Sequence, residues 1–257
     1  QPTHGLITNI GYAHTATFGG FEGVIRGKSE LFEYLRTSYG LPFINIEDKV
    51  LVNMTKRFKE KITYPSPDMV FVAAQPMVSY ERAEVTHQTH LLGAYNYMNL
   101  AAAYAVGTYF EVEEKSIIDA VNNYQSDNMR SQLLLKGTNQ IFLDAYNANP
   151  DSMRVALRSL ESFEGDKVAI LGDMNELEDS EAAHFQLLQE ADQMGFRMII
   201  TVGPQMALIK GRFPEVKWFG TATEVTHFIR EMSFEHTAVL IKASRSIELE
   251  LVVSSFN

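Results

Sequence analysis

Four short apolar runs punctuate the second half of the chain: Gln140–Leu143, Val168–Leu171, Met198–Val202 and Ala238–Ile241. Helix-length segments separate them, from Pro150 onward and over about Ser180–Met194, Pro204–Gly211 and Ala222–Met232. Met153, Val155, Ala156, Leu157 and Leu160 give the first of these helices an apolar face. Strands that alternate with helices imply a parallel sheet with helices packed on it. Lys217–Phe219 adds a short strand, and Lys136-Gly137-Thr138-Asn139 reads as a hairpin joining a strand from Leu133 to the Gln140 run. The second half is therefore expected to be a Rossmann-like α/β domain with a mostly parallel, doubly wound sheet. No G-x-G-x-x-G follows any of these strands, so a dinucleotide site is not supported.

The first half is also α/β. Gly5–Ile10 reads as a strand opening into Gly11-Tyr12-Ala13-His14, followed by a helix with Val24, Ile25, Leu31, Phe32 and Leu35 on one face. Leu41–Ile46 is the next strand, and an amphipathic helix from about Asp48 to Lys61 is broken by Tyr64-Pro65-Ser66-Pro67. Loose alternation over Asp68–Glu84 suggests sheet. Gly93 leads into an Ala-rich helix, and a second helix runs from about Glu113 to Tyr124. The polar link Gln125–Asn128 predicts a boundary between residues 1–128 and 129–257, with a hinge near Arg130.

A chain of 257 residues that is 46% hydrophobic can bury one large core or two modest ones. Its net charge of -10 and lack of a basic run argue against a nucleic-acid surface. The absence of cysteine removes disulfides and thiol chemistry, and fits a reducing, cytoplasmic setting. No apolar run has the length of a membrane helix. The start at Gln1-Pro2-Thr3-His4, without an initiator Met, reads as that of a fragment.

Candidate functional residues cluster where predicted strands end, the usual ligand edge of open α/β sheets. Asp144, Tyr146 and Asn147 lie between a strand and a helix with Asn149 as N-cap and Pro150 in its first turn. Asp173 and Glu176 follow Leu171. Asn96 and Asn99 stand one turn apart on one helix face, and their carboxamides offer both donors and acceptors. Read singly, each has an ordinary explanation. The 144–149 insert is a turn, the two asparagines cap a helix, Lys28 and Arg130 are solvated cations, and His14 is a loop histidine.

Jointly, the motifs resemble the Mur ligase family. The matching stretches are Ile7-Thr8-Asn9-Ile10-Gly11-Tyr12-Ala13-His14, Gly23-Val24-Ile25-Arg26-Gly27-Lys28, Gly93 to Asn99 with the following alanines, Arg130, and Asp144-Ala145-Tyr146-Asn147-Ala148-Asn149-Pro150. Gly172-Asp173-Met174-Asn175-Glu176-Leu177 with downstream His184 is similar to the branch that adds D-alanyl-D-alanine to UDP-N-acetylmuramoyl-tripeptide. Lys242-Ala243-Ser244-Arg245-Ser246 resembles that family's Lys-Gly-Ser-Arg-Gly. Departures are Leu143 for a first acidic residue, Tyr95 for a histidine, Met129 for a glycine, and Ala243 and Ser246 for two more glycines.

The resemblance implies part of a central ATP-binding domain followed by the family's C-terminal domain, in a cytoplasmic ATP-dependent ligase of peptidoglycan precursor synthesis. It implies catalytic and magnesium-binding roles for His14 and for Lys28, the latter as a carbamate. Asn96, Asn99, Arg130, Asp144, Tyr146 and Asn147 would contact ATP, and Asp173, Glu176, Ser244 and Arg245 would face substrate. Magnesium would neutralise charge on the transferring phosphoryl group. G-x-x-x-x-G-K-[ST] occurs nowhere in these residues, so the phosphate loop and the UDP-binding part are expected in a remainder of the same polypeptide. This chain alone is then expected to be inactive. The rivals are a sister ligase, of the folylpolyglutamate type or specific for another amino acid, and a non-catalytic binding module on the same fold.

Overall fold

The computed structural model describes residues 1–11 and 15–256. The chain divides into two compact units, one formed by residues 1–90 and 94–124 and the other by 91–93 and 125–257.

In the first unit, β1 (His4–Leu6), β2 (Leu41–Asn45) and β3 (Ile62–Tyr64) form a parallel sheet in the order β1-β2-β3. Between β1 and β2 run α1 (Thr15–Phe18) and α2 (Phe21–Thr37), and α2 buries Val24, Phe32 and Leu35. Phe32 and Leu35 join Ile7, Ile44 and Leu51 in the core. The helix expected from Asp48 to Lys61 is shorter, α3 (Lys49–Met54). Its last turn is diverted by buried Thr55, whose hydroxyl donates to the Leu51 carbonyl (2.8 Å), a side-chain bond that competes with helix continuation. The chain then enters β3, a strand that the prolines at 65 and 67 conceal in the sequence.

β4 (Met69–Ala74), β5 (Met77–Arg82) and β6 (Val85–Leu92) form a separate three-stranded sheet, in which β4 and β5 are antiparallel. Two helices follow, α4 (Asn96–Tyr109) and α5 (Glu114–Asn123). The Ala-rich face of α4 is buried at Leu100, Ala101, Ala102 and Ala105.

The second unit is built on one six-stranded sheet of order β11-β10-β9-β12-β8-β7. Its strands are β7 (Gln132–Lys136), β8 (Asn139–Asp144), β9 (Asp166–Gly172), β10 (Met198–Val202), β11 (Lys217–Phe219) and β12 (Thr237–Lys242). Only the β7–β8 hairpin is antiparallel, turning at Gly137-Thr138 between the paired Lys136 and Asn139. The other neighbours are parallel. Helices α6 (Pro150–Glu161), α7 (Ser180–Asp192), α8 (Pro204–Ala207) and α9 (Ala222–Glu231) connect them.

Alternation along the strands sends Ile141, Leu143, Val168, Ile170, Val239 and Ile241 to one face, against Val225 and Ile229 of α9 and against Leu249, Val252 and Phe256. Those last three belong to a 3-10 tail (Leu249–Ser255) and the residue after it. Leu249, Val252, Val253 and Phe256 stand at the i, i+3, i+4 and i+7 spacing of one helical face. β12 enters last yet lies between β8 and β9. The carboxyl ends of β8, β12 and β9 therefore stand side by side.

Candidate functional site

At the carboxyl end of β8, Asp144 is held from two sides. Lys242, the last residue of β12 and 1% exposed, donates from Nζ to Asp144 Oδ2 (2.5 Å) and to the Asn147 carbonyl (3.0 Å). The Ser131 amide donates to Asp144 Oδ1 (3.2 Å). The parallel register that sets Lys242 beside Asp144 creates the pair. A buried ammonium is tolerated only with such partners. Breaking a buried ion pair by removing one partner costs about 3–5 kcal/mol. Lys242 is the residue that motif reading left unassigned. Its signal was a lysine ending a continuous apolar strand, Thr237–Ile241.

The loop after Asp144 is rigid by local chemistry. Asn149 accepts from the Ser152 amide (2.9 Å) and donates its own amide to the Ser152 hydroxyl (3.1 Å), a reciprocal cap. Asn147 Oδ1 accepts from the Ala148 amide (2.9 Å). The exposed Tyr146 ring lies under the Arg130 guanidinium at 3.9 Å, a cation–π geometry. The Arg130 carbonyl accepts from the Ser126 hydroxyl (2.5 Å), and its neighbours Met129 (φ +60°) and Ser131 (φ +49°) are both left-handed. Four of the expected residues, Arg130, Asp144, Tyr146 and Asn147, thus lie in this unit, with Lys242 as a newly found partner of Asp144 and Asn147.

Two of the four residues expected to face substrate, Asp173 and Ser244, are buried. Asp173 is 1% exposed, and its carboxylate accepts from the Gln205 (2.9 Å) and Met206 (2.9 Å) amides at the start of α8. It acts as the cap of that short helix. Gly203 (φ +114°) makes room for it, since a Cβ there would stand 2.5 Å from the Asp173 carboxyl carbon. Ser244 is also buried. Its amide donates to the Asp173 carbonyl (3.0 Å) and its hydroxyl accepts from the Asn175 amide (2.9 Å). Ser244 thus ties two loops together.

Glu176, at φ +60°, and Arg245 are exposed at this edge. Arg245 donates to Glu250 Oε1 (2.5 Å) and contacts the Met129 sulfur (3.0 Å). Asn175 and Ser246 are joined by a side-chain bond of 2.8 Å.

His184 is fully buried beneath the 173–177 loop, where its Nε2 accepts from the Met174 amide (2.9 Å). Its Nδ1 then carries the proton and donates to the Ser180 carbonyl (2.6 Å). Burial pushes its pKa below the ordinary value, outweighing the Ser180 carbonyl and nearby Asp173. The downstream histidine of the motif is a neutral latch.

In the first unit, Asn99 Nδ2 donates to Asn96 Oδ1 (2.8 Å), so the two carboxamides form one polar group at the start of α4. Lys28 Nζ donates to the Asn9 carbonyl (2.9 Å). Burial lowers its pKa, opposed by the charge of Asp48. Asp48 caps α3 through the Val50 and Leu51 amides and also accepts from Ile10 N (3.0 Å). Tyr64 is buried nearby, its phenol pushed up to about 12 by burial and by Asp48.

His14 lies outside the described residues. Among the described residues no three carboxylate, imidazole or thiolate side chains converge on a point that could hold a metal ion, and the Asp48 carboxylate already serves backbone amides. The described donors alone do not complete a magnesium site. Among the same residues no helix is long and apolar enough to cross a membrane.

The Mur ligase middle domain matches residues 1–107, and the Mur ligase glutamate ligase domain matches 129–245. The chain belongs to the Mur ligase family. Among its relatives are the UDP-N-acetylmuramoyl-tripeptide--D-alanyl-D-alanine ligases of Bacillus subtilis and Escherichia coli. Each is 28% identical across 98% of this chain, which spans 59% and 60% of their respective lengths. The crystal structure of MurF from Acinetobacter baumannii superposes with a TM-score of 0.82 at 25% identity, over 99% of this chain and 59% of that one. MurF from Thermotoga maritima in complex with ADP has the same fold, with a TM-score of 0.83 at 21% identity, over 99% of this chain and 61% of its own.

Proposed function

We propose that this chain forms the middle-domain and C-terminal parts, divided at residues 128/129, of an ATP-dependent ligase. Its reaction is the addition of D-alanyl-D-alanine to UDP-N-acetylmuramoyl-tripeptide, carried out in the cytoplasm together with the further two-fifths of length that its relatives possess. The observation that carries the reading is the similarity to ligases of that name across 98% of the chain. ATP phosphorylates the terminal carboxylate of the tripeptide, releasing ADP. The dipeptide amine then attacks the acyl carbon, and the tetrahedral adduct expels inorganic phosphate to leave the amide.

The geometry supports particular roles. A carboxylate has about four acceptor positions, and Lys242 and Ser131 occupy two of those on Asp144. The remaining two suit the vicinal hydroxyls of a ribose. Asn96 and Asn99 offer donors and acceptors to an adenine edge. Arg130, stacked on Tyr146, presents its charged fork to phosphate. Glu176 and Arg245 carry opposite charges at the strand edge, as a zwitterionic dipeptide requires. The depressed pKa of Lys28 favours the free amine, the form that adds carbon dioxide to become a carbamate. A magnesium ion held with that carbamate and His14 would need further ligands from outside the described residues.

The test is a full-length assay with ATP, magnesium, the UDP-tripeptide and D-alanyl-D-alanine, following phosphate release and product mass. Release dependent on both substrates is expected. Equal or better turnover with a single amino acid in place of the dipeptide would favour a sister ligase instead.

A further inference from the structure

We propose that Lys242 is a positioning residue for nucleotide recognition, fixing which edge of the Asp144 carboxylate is offered to ligand. The inference rests on the reading of Asp144 as the ribose contact. It starts from a lysine that is buried yet has an acceptor on each of two segments, the end of β8 and the loop beyond it. Because Nζ bonds both Asp144 Oδ2 and the Asn147 carbonyl, it fixes the span from residue 144 to 147. The Ser131 amide holds the other carboxylate oxygen.

A carboxylate gripped at both oxygens cannot rotate about its terminal bond, so its unused lone pairs point in one direction. Recognition of a diol needs that fixed direction. Lys242 itself, at 1% exposure, touches no ligand. Its effect reaches the nucleotide only through Asp144 and the 144–147 loop.

The experiment measures equilibrium binding of ADP and of 2′,3′-dideoxy-ADP to the full-length protein by titration calorimetry. Hydrogen bonds to a charged acceptor should make the parent protein prefer ADP by roughly tenfold to hundredfold. Asp144→Asn should abolish most of that preference. Lys242→Met should do the same, and the double variant should lose no more than either single one. If Lys242→Met does not fold, Lys242→Gln, one atom shorter and uncharged, takes its place in the comparison.

A Lys242 variant that binds both nucleotides more weakly but keeps the parent ratio would overturn the proposal, leaving a purely structural lysine. The reading of Asp144 stands in that case if Asp144→Asn still loses the ratio. An Asp144→Asn variant with the parent ratio would remove the ribose assignment, and the role of Lys242 with it.

Discussion

Gly172 and Ala243 share one small space at the carboxyl edge of the second sheet. A Cβ built on Gly172 would stand 2.5 Å from the Ala243 Cβ and 3.1 Å from both Ile247 Cγ2 and Leu249 Cδ1. Carbon atoms pack best at about 3.5–4.0 Å, so the methyl groups would overlap by about an ångström. Ala243 cannot yield easily, because it is fully buried between Lys242 and Ser244, both of which are hydrogen-bonded. Overpacking of this kind costs about 1–3 kcal/mol, less the roughly 0.5–1 kcal/mol that alanine gains over glycine within a strand. Gly172→Ala should therefore destabilise the second unit by about 1 kcal/mol, and by no more than about 2.5 kcal/mol.

Ala243→Gly alone should cost a similar amount, about 0.8 kcal/mol for the buried methyl and a further 0.5–1 kcal/mol of backbone entropy. The double variant exchanges the two methyls and removes the worst overlap, so it should recover at least about 1 kcal/mol relative to the sum of the single changes. Urea unfolding followed by tryptophan fluorescence reads this unit alone, since Trp218 in β11 is the only tryptophan. Additivity of the two changes within about 0.5 kcal/mol would refute the argument.

Three further outcomes are expected. Because the pKa of His184 is depressed in the folded state, the unfolded chain takes up a proton first as pH falls below about 6.5. Stability of the second unit should fall there by up to about 1.4 kcal/mol per pH unit. In His184→Gln the same urea series should lose that component, and an unchanged slope would disprove the latch. Tyr146→Leu removes the platform under Arg130 and should weaken ADP binding about two- to fivefold, as the loss of an exposed cation–π contact predicts; calorimetry with no change would sever the stack from recognition. Lys28→Ala should lose ligase activity in the full-length assay, with partial rescue by short carboxylates, and rescue by short amines instead would argue against a carbamate.

Most of the second unit was legible because its strands are continuous apolar runs and its helices carry visible caps. Asn149-Pro150 announces α6 in the sequence, and the structure completes it with the reciprocal Ser152 bonds. In the first unit the reading failed where a polar side chain overrode periodicity. Thr55 ends α3 early through a bond to Leu51, and the short β3 exists only because β2 pairs with it. The candidate site shows the same division. Asp144 and Asp173 both follow apolar strands, and nothing local distinguishes them. One faces a lysine 98 residues away and stays partly open; the other meets the α8 amides some 32 residues on and closes. Their different fates are set by partners that only the sheet order brings together.

Met129 shows how a departure from a family pattern can be read physically. The resemblance places a glycine before the hinge arginine, and glycine at such a point implies a left-handed backbone. Met129 adopts that conformation all the same, at φ +60°. A bulky residue there carries strain on the order of 1–2 kcal/mol, which the rest of the structure must offset. Two contacts do so: Met129 packs against the main core of the second unit, and its sulfur meets Arg245 at 3.0 Å. With Ser131 also left-handed, at φ +49°, Arg130 stands between two reversals that fix the path of the chain over Tyr146. Met129→Gly would relieve the strain but lose the packing and loosen the unfolded chain, so its net effect on stability should stay within about 1 kcal/mol. Its effect on Arg130 should be larger than that on stability, since glycine would free the backbone that holds the guanidinium over the ring. Weaker ADP binding at nearly unchanged urea midpoint is the expected signature. A clear fall in stability with unaltered binding would mean that Met129 serves the core alone.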